Sequence, residues 1–188
     1  MPVIILCSTY KKSILFNALN RGLSNYGNVI CISNNIFTST KGKPNFLLYK
    51  TESMENIHNT RGIVLFDEKF KSRKKHINIE KNTVNNNLKE LILVFSSSNR
   101  QAINALNGER KSVVSCGTSG KDTFCISSID MESATISLQR EVVDINGVTH
   151  EPHEFKVELT HKISQITLLN VCATLMLCGV TSENGYRI

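Results

Sequence analysis

The densest chemistry in the chain lies in seven consecutive residues, Cys7-Ser8-Thr9-Tyr10-Lys11-Lys12-Ser13. An apolar, β-branched run at residues 3–7 leads into them, and a helical period leads out. A loop between a strand and a helix binds phosphate when it offers three things. These are backbone N–H groups that wrap the anion, a lysine for charge, and a hydroxyl for a metal. Ser8, Thr9, Lys11, Lys12 and Ser13 supply hydroxyls and charge, and Lys12-Ser13 stands at the helix N-terminus, where the helix dipole adds to the attraction. The loop contains no glycine. Side chains at Cys7, Tyr10 and Lys11 crowd a triphosphate and restrict the positive-φ backbone that glycine permits. The residues alone leave two readings open: a capped strand-to-helix turn with incidental lysines, and a weak anion site.

Other candidates are sparser. Glu52, with Ser53, follows a strand pattern and is read either as a ligand-binding acid or as the cap of a following helix. Asp67 and Glu68 end a second apolar strand, where open α/β sheets place their ligands, and support either a cation or a solvated strand end. His150-Glu151-Pro152-His153-Glu154 is the only histidine cluster. Two histidines three residues apart do not share a strand face, so a metal site there needs a bend. The six cysteines lie inside apolar runs and have no CxxC spacing, which points to buried free thiols and to no metal centre. Cys116-Gly117 places a thiol at a turn, with no base nearby in sequence, and no nucleophile elbow is present.

Composition bounds the partners. The net charge is +6, and five of the basic residues (Lys69, Lys71, Arg73, Lys74 and Lys75) fall in one run. The basicity is therefore one local patch, read either as a solvated loop or as a site for an anionic partner. Phe70 is the only aromatic residue inside the run, which argues against base stacking and against a nucleic-acid partner. Residues 2–7 are too short for a signal peptide's hydrophobic region. The apolar stretch 166–180 is interrupted by Thr167, Asn170 and Thr174, and a membrane span needs roughly 20 apolar residues, so it reads as a buried helix. The expectation is a cytoplasmic protein with no membrane partner.

These residues must be positioned by a definite set of elements. Strands are expected at 3–7, 29–33, 46–49, 62–67, 91–95 and 112–116, and helices near 14–23, 52–57 and 100–106. Residues 34–44 read as loop. After Gly117 the period becomes two, giving strands at 123–129, 133–143 and 155–159, with a hairpin turn at Asn146-Gly147 and a last helix at 163–178. Strand, helix and strand over the first thirty-odd residues form a βαβ unit. The fold class is α/β, a P-loop-like mostly parallel sheet flanked by helices, with an antiparallel β excursion near residues 123–159. The whole chain, 1–188, reads as one domain, with a polar surface excursion at 68–90.

The order of these pieces resembles the central, ATP-binding domain of the Mur ligases, which add amino acids to peptidoglycan precursors. VIILC-STYKKS-ILFNALNRGLSNYG-NVICIS follows the layout of that family's strand, GTNGKTT loop, helix and strand. TES at 51–53 stands where the family has a glutamate, and LFDEKF at 65–70 where it has an Asn and an Asp-His pair. LILVFSSSNRQAINALNGERKSVVSCG, 91–117, matches a later strand–helix–strand, and HKISQITLLNVCATLMLCG, 161–179, loosely matches the final helix. The resemblance implies ATP and magnesium as the ancestral ligands. It also implies a reduced relative, because the loop glycines and the Asp-His pair are missing. Such a domain is expected to be non-catalytic or to bind nucleotide only weakly, acting through a protein partner or a second copy of itself in cell-envelope metabolism. The residues leave two alternatives: an enzyme with an unrelated active site, in which Glu52, Asp67 and the 150–154 segment converge in one pocket, and an adaptor that binds an anion or nucleic acid through the basic 69–75 run.

Overall fold

Runs of β-branched and apolar residues with no polar alternation can be satisfied only as strands covered on both faces, and three such runs, 3–7, 62–66 and 91–95, form the centre of the sheet. In a computed structural model of the chain, the structure describes residues 1–10, 12–33, 36–39, 42, 43, 45–52, 62–67, 70, 91–100, 102 and 112–188. The strands are β1 (Val3–Cys7), β2 (Val29–Ser33), β3 (Ile36–Ser39), β4 (Phe46–Thr51), β5 (Gly62–Phe66), β6 (Leu91–Ser96) and β7 (Ser112–Cys116). They continue as β8 (Phe124–Ile129), β9 (Ser133–Leu138), β10 (Val142–Val143), β11 (Thr149–His150), β12 (His153–Glu158) and β13 (Tyr186–Arg187). The two described helices are α1 (Ile14–Ser24) and α2 (Gln165–Leu177).

Eleven strands form one sheet in the order β13-β12-β9-β8-β7-β6-β5-β1-β4-β2-β3. From β2 to β8 the neighbours run parallel, and β9 then pairs antiparallel with both β8 and β12. The antiparallel excursion thus extends the parallel sheet, and among the described residues only β10 and β11 stand apart, as a two-stranded ribbon closed by the Asn146-Gly147 turn.

The pleat sorts the apolar residues into two layers. Ile4 and Leu6 of β1 face a core shared with α1 and α2, whereas Ile5 and Cys7 face a second core with Val64, Phe66, Phe70, Leu93, Phe95 and Ala102. α1 turns Leu15, Ala18, Leu19, Gly22 and Leu23 inward. At Gly22 an added Cβ would sit 2.6 Å from Val171 Cγ1, so glycine lets the two helices meet closely. α2 is buried from Thr167 to Leu177, as a helix apolar on every side must be, and each fully buried Leu, Val or Met stabilises by about 1.5–3 kcal/mol. Inside it Asn170 donates Nδ2 to the Ile166 carbonyl at 2.8 Å, while its Oδ1 is buried with no partner among the described residues. α2 ends on Gly179 at φ 81°, with Gly179 N–H donating to the Met176 carbonyl and Val180 N–H to that of Leu175.

Three expectations need correction. The stretch read as loop at 34–44 contains β3, which pairs antiparallel with β2 and satisfies the backbone groups of that strand's outer edge. The strand read at 133–143 ends at Leu138, before the polar Gln139-Arg140-Glu141, and resumes as β10 in the separate ribbon. β12 begins at His153, two residues earlier than its apolar pattern suggests. The helices expected near 52–57 and 100–106, the excursion at 68–90 and the basic residues of the 69–75 run lie outside the described residues, Glu52, Phe70, Arg100 and Ala102 excepted.

Candidate functional site

All parallel strands end at the same edge of the sheet, and the chain reverses its direction of travel there. From β1 it passes through α1 to β2, returns in β4 beside β1, and then crosses to β5 on the other side of β1. Such a switch point opens a crevice at the carboxyl ends of the strands. The loop after β1 and the residue after β5 stand on its two sides.

Asp67 joins the two. Its Oδ2 accepts hydrogen bonds from Ser8 Oγ and from Ser13 Oγ, both at 2.8 Å. Its own N–H donates to the Cys7 carbonyl at 3.0 Å, and its carbonyl accepts from Asn99 Nδ2 at 3.1 Å and from Phe70 N–H at 2.8 Å. Ser13 is the N-cap of α1, in extended backbone conformation, and accepts the Phe16 N–H at 3.2 Å. One hydroxyl thus caps the helix and ties the loop to Asp67.

Within the loop, backbone groups that a phosphate would need are already engaged. Ser8 N–H donates to the Thr51 carbonyl at 2.9 Å and Tyr10 N–H to Ser8 Oγ at 3.3 Å. From the other side, the ammonium of Lys50 donates to the Tyr10 carbonyl. Lys50 is only 5% exposed and pairs with Leu6 in the ladder, so a buried positive charge sits directly against the loop. Sequence reasoning missed Lys50, which looks like an ordinary strand-end lysine; its register beside β1 gives it this role. Lys12 and Tyr10 are exposed, Thr9 is half-buried, and Lys11 lies outside the described residues. Glu52 stands exposed at the end of β4. A ligand phosphate would need Lys12, the helix terminus and the N–H groups of Ser8 and Tyr10; the last two cannot turn to it without breaking the bonds just described. A magnesium ion would find Asp67 flanked by two hydroxyls, all oxygen ligands. Among the described residues no group of three or more His, Cys, Asp or Glu is placed to hold a metal.

The same edge continues across β6 and β7. Ser97 Oγ donates to Asp122 Oδ2 at 3.2 Å and Ser119 N–H donates to the same oxygen at 3.1 Å. Asp122 is buried, and Gly117 lies beneath it. The architecture, a switch point beside β1 with an antiparallel extension beyond β7, is shared with solved enzymes. A UDP-N-acetylmuramoyl-L-alanyl-D-glutamate–2,6-diaminopimelate ligase matches 95% of this chain at a TM-score of 0.57 and 13% identity. A UDP-N-acetylmuramoylalanyl-D-glutamyl-2,6-diaminopimelate–D-alanyl-D-alanyl ligase of Acinetobacter baumannii matches 98% at 0.56 and 10% identity. The fold is that of the Mur ligases.

This Mur-ligase-like chain spans less than half the length of those enzymes, 43% and 44% respectively. No protein-family model matches it, and no curated protein does. In the Mur-ligase-like sheet, Asp67 and the His150–Glu154 segment do not come together. β12 lies five strands from β5, about 24 Å at the usual strand spacing, so a single pocket built from Glu52, Asp67 and those histidines does not form. Nor is Cys116 exposed at its turn. It is fully buried, and burial raises its thiol far above the ordinary range, with the nearby Asp122 carboxylate adding to the effect. Among the described residues no helix is long and apolar enough to cross a membrane.

Gly117 carries a testable consequence. An added Cβ would fall well inside contact distance of Asp122 Oδ2 and Ser97 Oγ. Gly117→Ala should therefore displace a buried carboxylate from its two donors and cost about 2–3 kcal/mol in urea unfolding. Wild-type stability in this variant would mean the β7–β8 turn shifts freely.

Proposed function

We propose that this chain is a Mur-ligase-like domain whose phosphate loop has become a closed structural turn with at most weak affinity for nucleotide or another anion. The reading adds that the domain has lost ATP-driven ligation and works through a protein partner or a second copy of itself, in cell-envelope metabolism. The observation that carries it is the mutual engagement of the loop: Ser8 and Ser13 on Asp67, Tyr10 N–H on Ser8, and Lys50 on the Tyr10 carbonyl. A cradle for triphosphate needs free N–H groups and glycine at the tight positions, and this loop has side chains at Ser8, Tyr10 and Lys11 instead. The partner and the pathway rest on the resemblance alone.

Calorimetric titration with Mg-ATP tests the reading. The expected dissociation constant is weaker than about 1 mM, equivalent to about 4 kcal/mol of binding, with no release of ADP. Returning glycine to the loop, as Ser8→Gly with Lys11→Gly, should tighten binding at least tenfold. Micromolar affinity with turnover in the unaltered chain would overturn the proposal.

A further inference from the structure

We propose that Ser182 is a nucleophilic serine activated by His153, in a second site remote from the phosphate loop and independent of the function proposed for it. His153 opens β12, and Ser182 lies in the turn between α2 and β13. His153 Nε2 is 2.8 Å from Ser182 Oγ, and His153 Nδ1 is 2.7 Å from the Glu151 carbonyl. The carbonyl can only accept, so the proton of the neutral imidazole resides on Nδ1. The lone pair is then on Nε2, and Ser182 must donate its hydroxyl proton to it. That is the direction which activates a serine: the base is aimed at the nucleophile, and a third group holds the base in one tautomer.

Both partners are held from outside. The Ser182 carbonyl accepts the Gly185 N–H at 2.9 Å, and Tyr186 Oη donates to the Val180 carbonyl at 2.8 Å, so the turn is pinned on either side of the serine. Downstream, Tyr186 pairs in register with Val157 of β12, the strand that His153 begins. The His153 ring also packs beside Phe155, with centroids 5.6 Å apart. Ser182 and His153 are each half-buried and line an open cleft with His150, Glu151, Glu183 and Asn184. The pair accounts for the histidine segment, which the ligase-like reading leaves without a role.

The chemistry is acyl transfer from an activated ester to Ser182 and then to water. Ser182 Oγ forms a bond to the acyl carbon, its proton passes to His153 Nε2, and the bond to the aryloxide breaks. The imidazolium returns its proton to the departing aryloxide. Water, deprotonated by the same nitrogen, then attacks the acyl-serine, the bond to Ser182 Oγ breaks, and His153 returns that proton to Oγ, leaving a carboxylic acid and the free serine. In an open cleft the pair supplies activation of the nucleophile, so the expected substrates are those whose leaving group needs no further assistance.

The full chain is incubated with p-nitrophenyl acetate and, separately, with an alkyl fluorophosphonate, and the modified peptide is identified by mass spectrometry. One modification per chain, on Ser182, is expected. Ser182→Ala should abolish it, and His153→Gln, which keeps a hydrogen-bonding side chain but no base, should slow it about 100-fold or more. Modification at other residues, unchanged labelling of Ser182→Ala, or any smaller fall in His153→Gln overturns the proposal. Should His153→Gln fail to fold, the site of modification in the unaltered chain, with Ser182→Ala, decides alone.

Discussion

Raising the pH from 8 to 10 is expected to remove about 5 kcal/mol from the stability of this domain, a large part of what a small domain has. The cause is four buried thiols. Burial pushes Cys7 up to about 12 from its ordinary value of 9.0, and raises Cys116, Cys172 and Cys178 as well, the last two with help from the neighbouring Cys116 thiol and the Asp144 carboxylate respectively. All four are 0–6% exposed. A thiol is neutral when protonated, so the folded chain keeps protons that the unfolded chain gives up above pH 9. The stabilisation is therefore complete below pH 9 and is lost as pH rises from there towards 12, by about 1.4 kcal/mol per thiol per unit. Urea midpoints measured between pH 7 and 10.5 check this, and Cys7→Ala should reduce the slope by about a quarter. A flat profile across that interval would sink the idea.

Gly62→Val should cost about 3 kcal/mol or more and should open the candidate site at the same time. Gly62 begins β5, and a Cβ there would overlap the Val3 backbone carbonyl. A backbone oxygen inside a ladder cannot swing aside like a side-chain tip; relief requires β5 to move away from β1. That movement breaks the register of Ile4 with Ile63 through Cys7 with Phe66. Asp67 follows directly, so its bonds to Ser8 and Ser13 are lost with the register. Two measurements are needed: unfolding free energy, and amide hydrogen exchange at Ser8, Thr9 and Ser13. A variant within about 1 kcal/mol of the unaltered chain, or one with unchanged exchange in the loop, would contradict this account.

Legibility in the sequence followed the physics of each element. β1, β5 and β6 announce themselves because a strand covered on both faces has no polar positions to blur the pattern. α1 is readable because one face of it is apolar, and the hairpin because Asn146-Gly147 has the turn chemistry it needs. β3 was not readable, since Phe37, Thr38 and Ser39 are all exposed and its existence depends on the edge of β2. β13 is two residues long and exists only by docking on β12. At the candidate site, Ser8 and Ser13 follow from the strand–loop–helix layout, and Asp67 from its place at the end of a second apolar strand. The engagement of the loop by Lys50 does not, because cross-strand register is invisible in one chain. Ser182 and His153 are further removed still: their meeting depends on α2 and the turn after it, and no local spacing encodes it.

The position of β1 has a consequence for assembly. It is synthesised before its neighbours, yet it pairs Val3 with Leu47 on one side and Ile4 with Ile63 on the other. Closing those ladders needs two long loops brought together against chain entropy, which is slow. Until residues 62–66 have emerged, VIILC keeps one edge unpaired, an apolar edge of the kind that chaperones cover and aggregates recruit. The contacts of Ser8 and Ser13 with Asp67 can form only when that central pairing is complete. Order in the loop therefore reports that the centre of the sheet, β1 between β4 and β5, has been assembled, and a nascent or truncated chain that stops short of β5 will not have it.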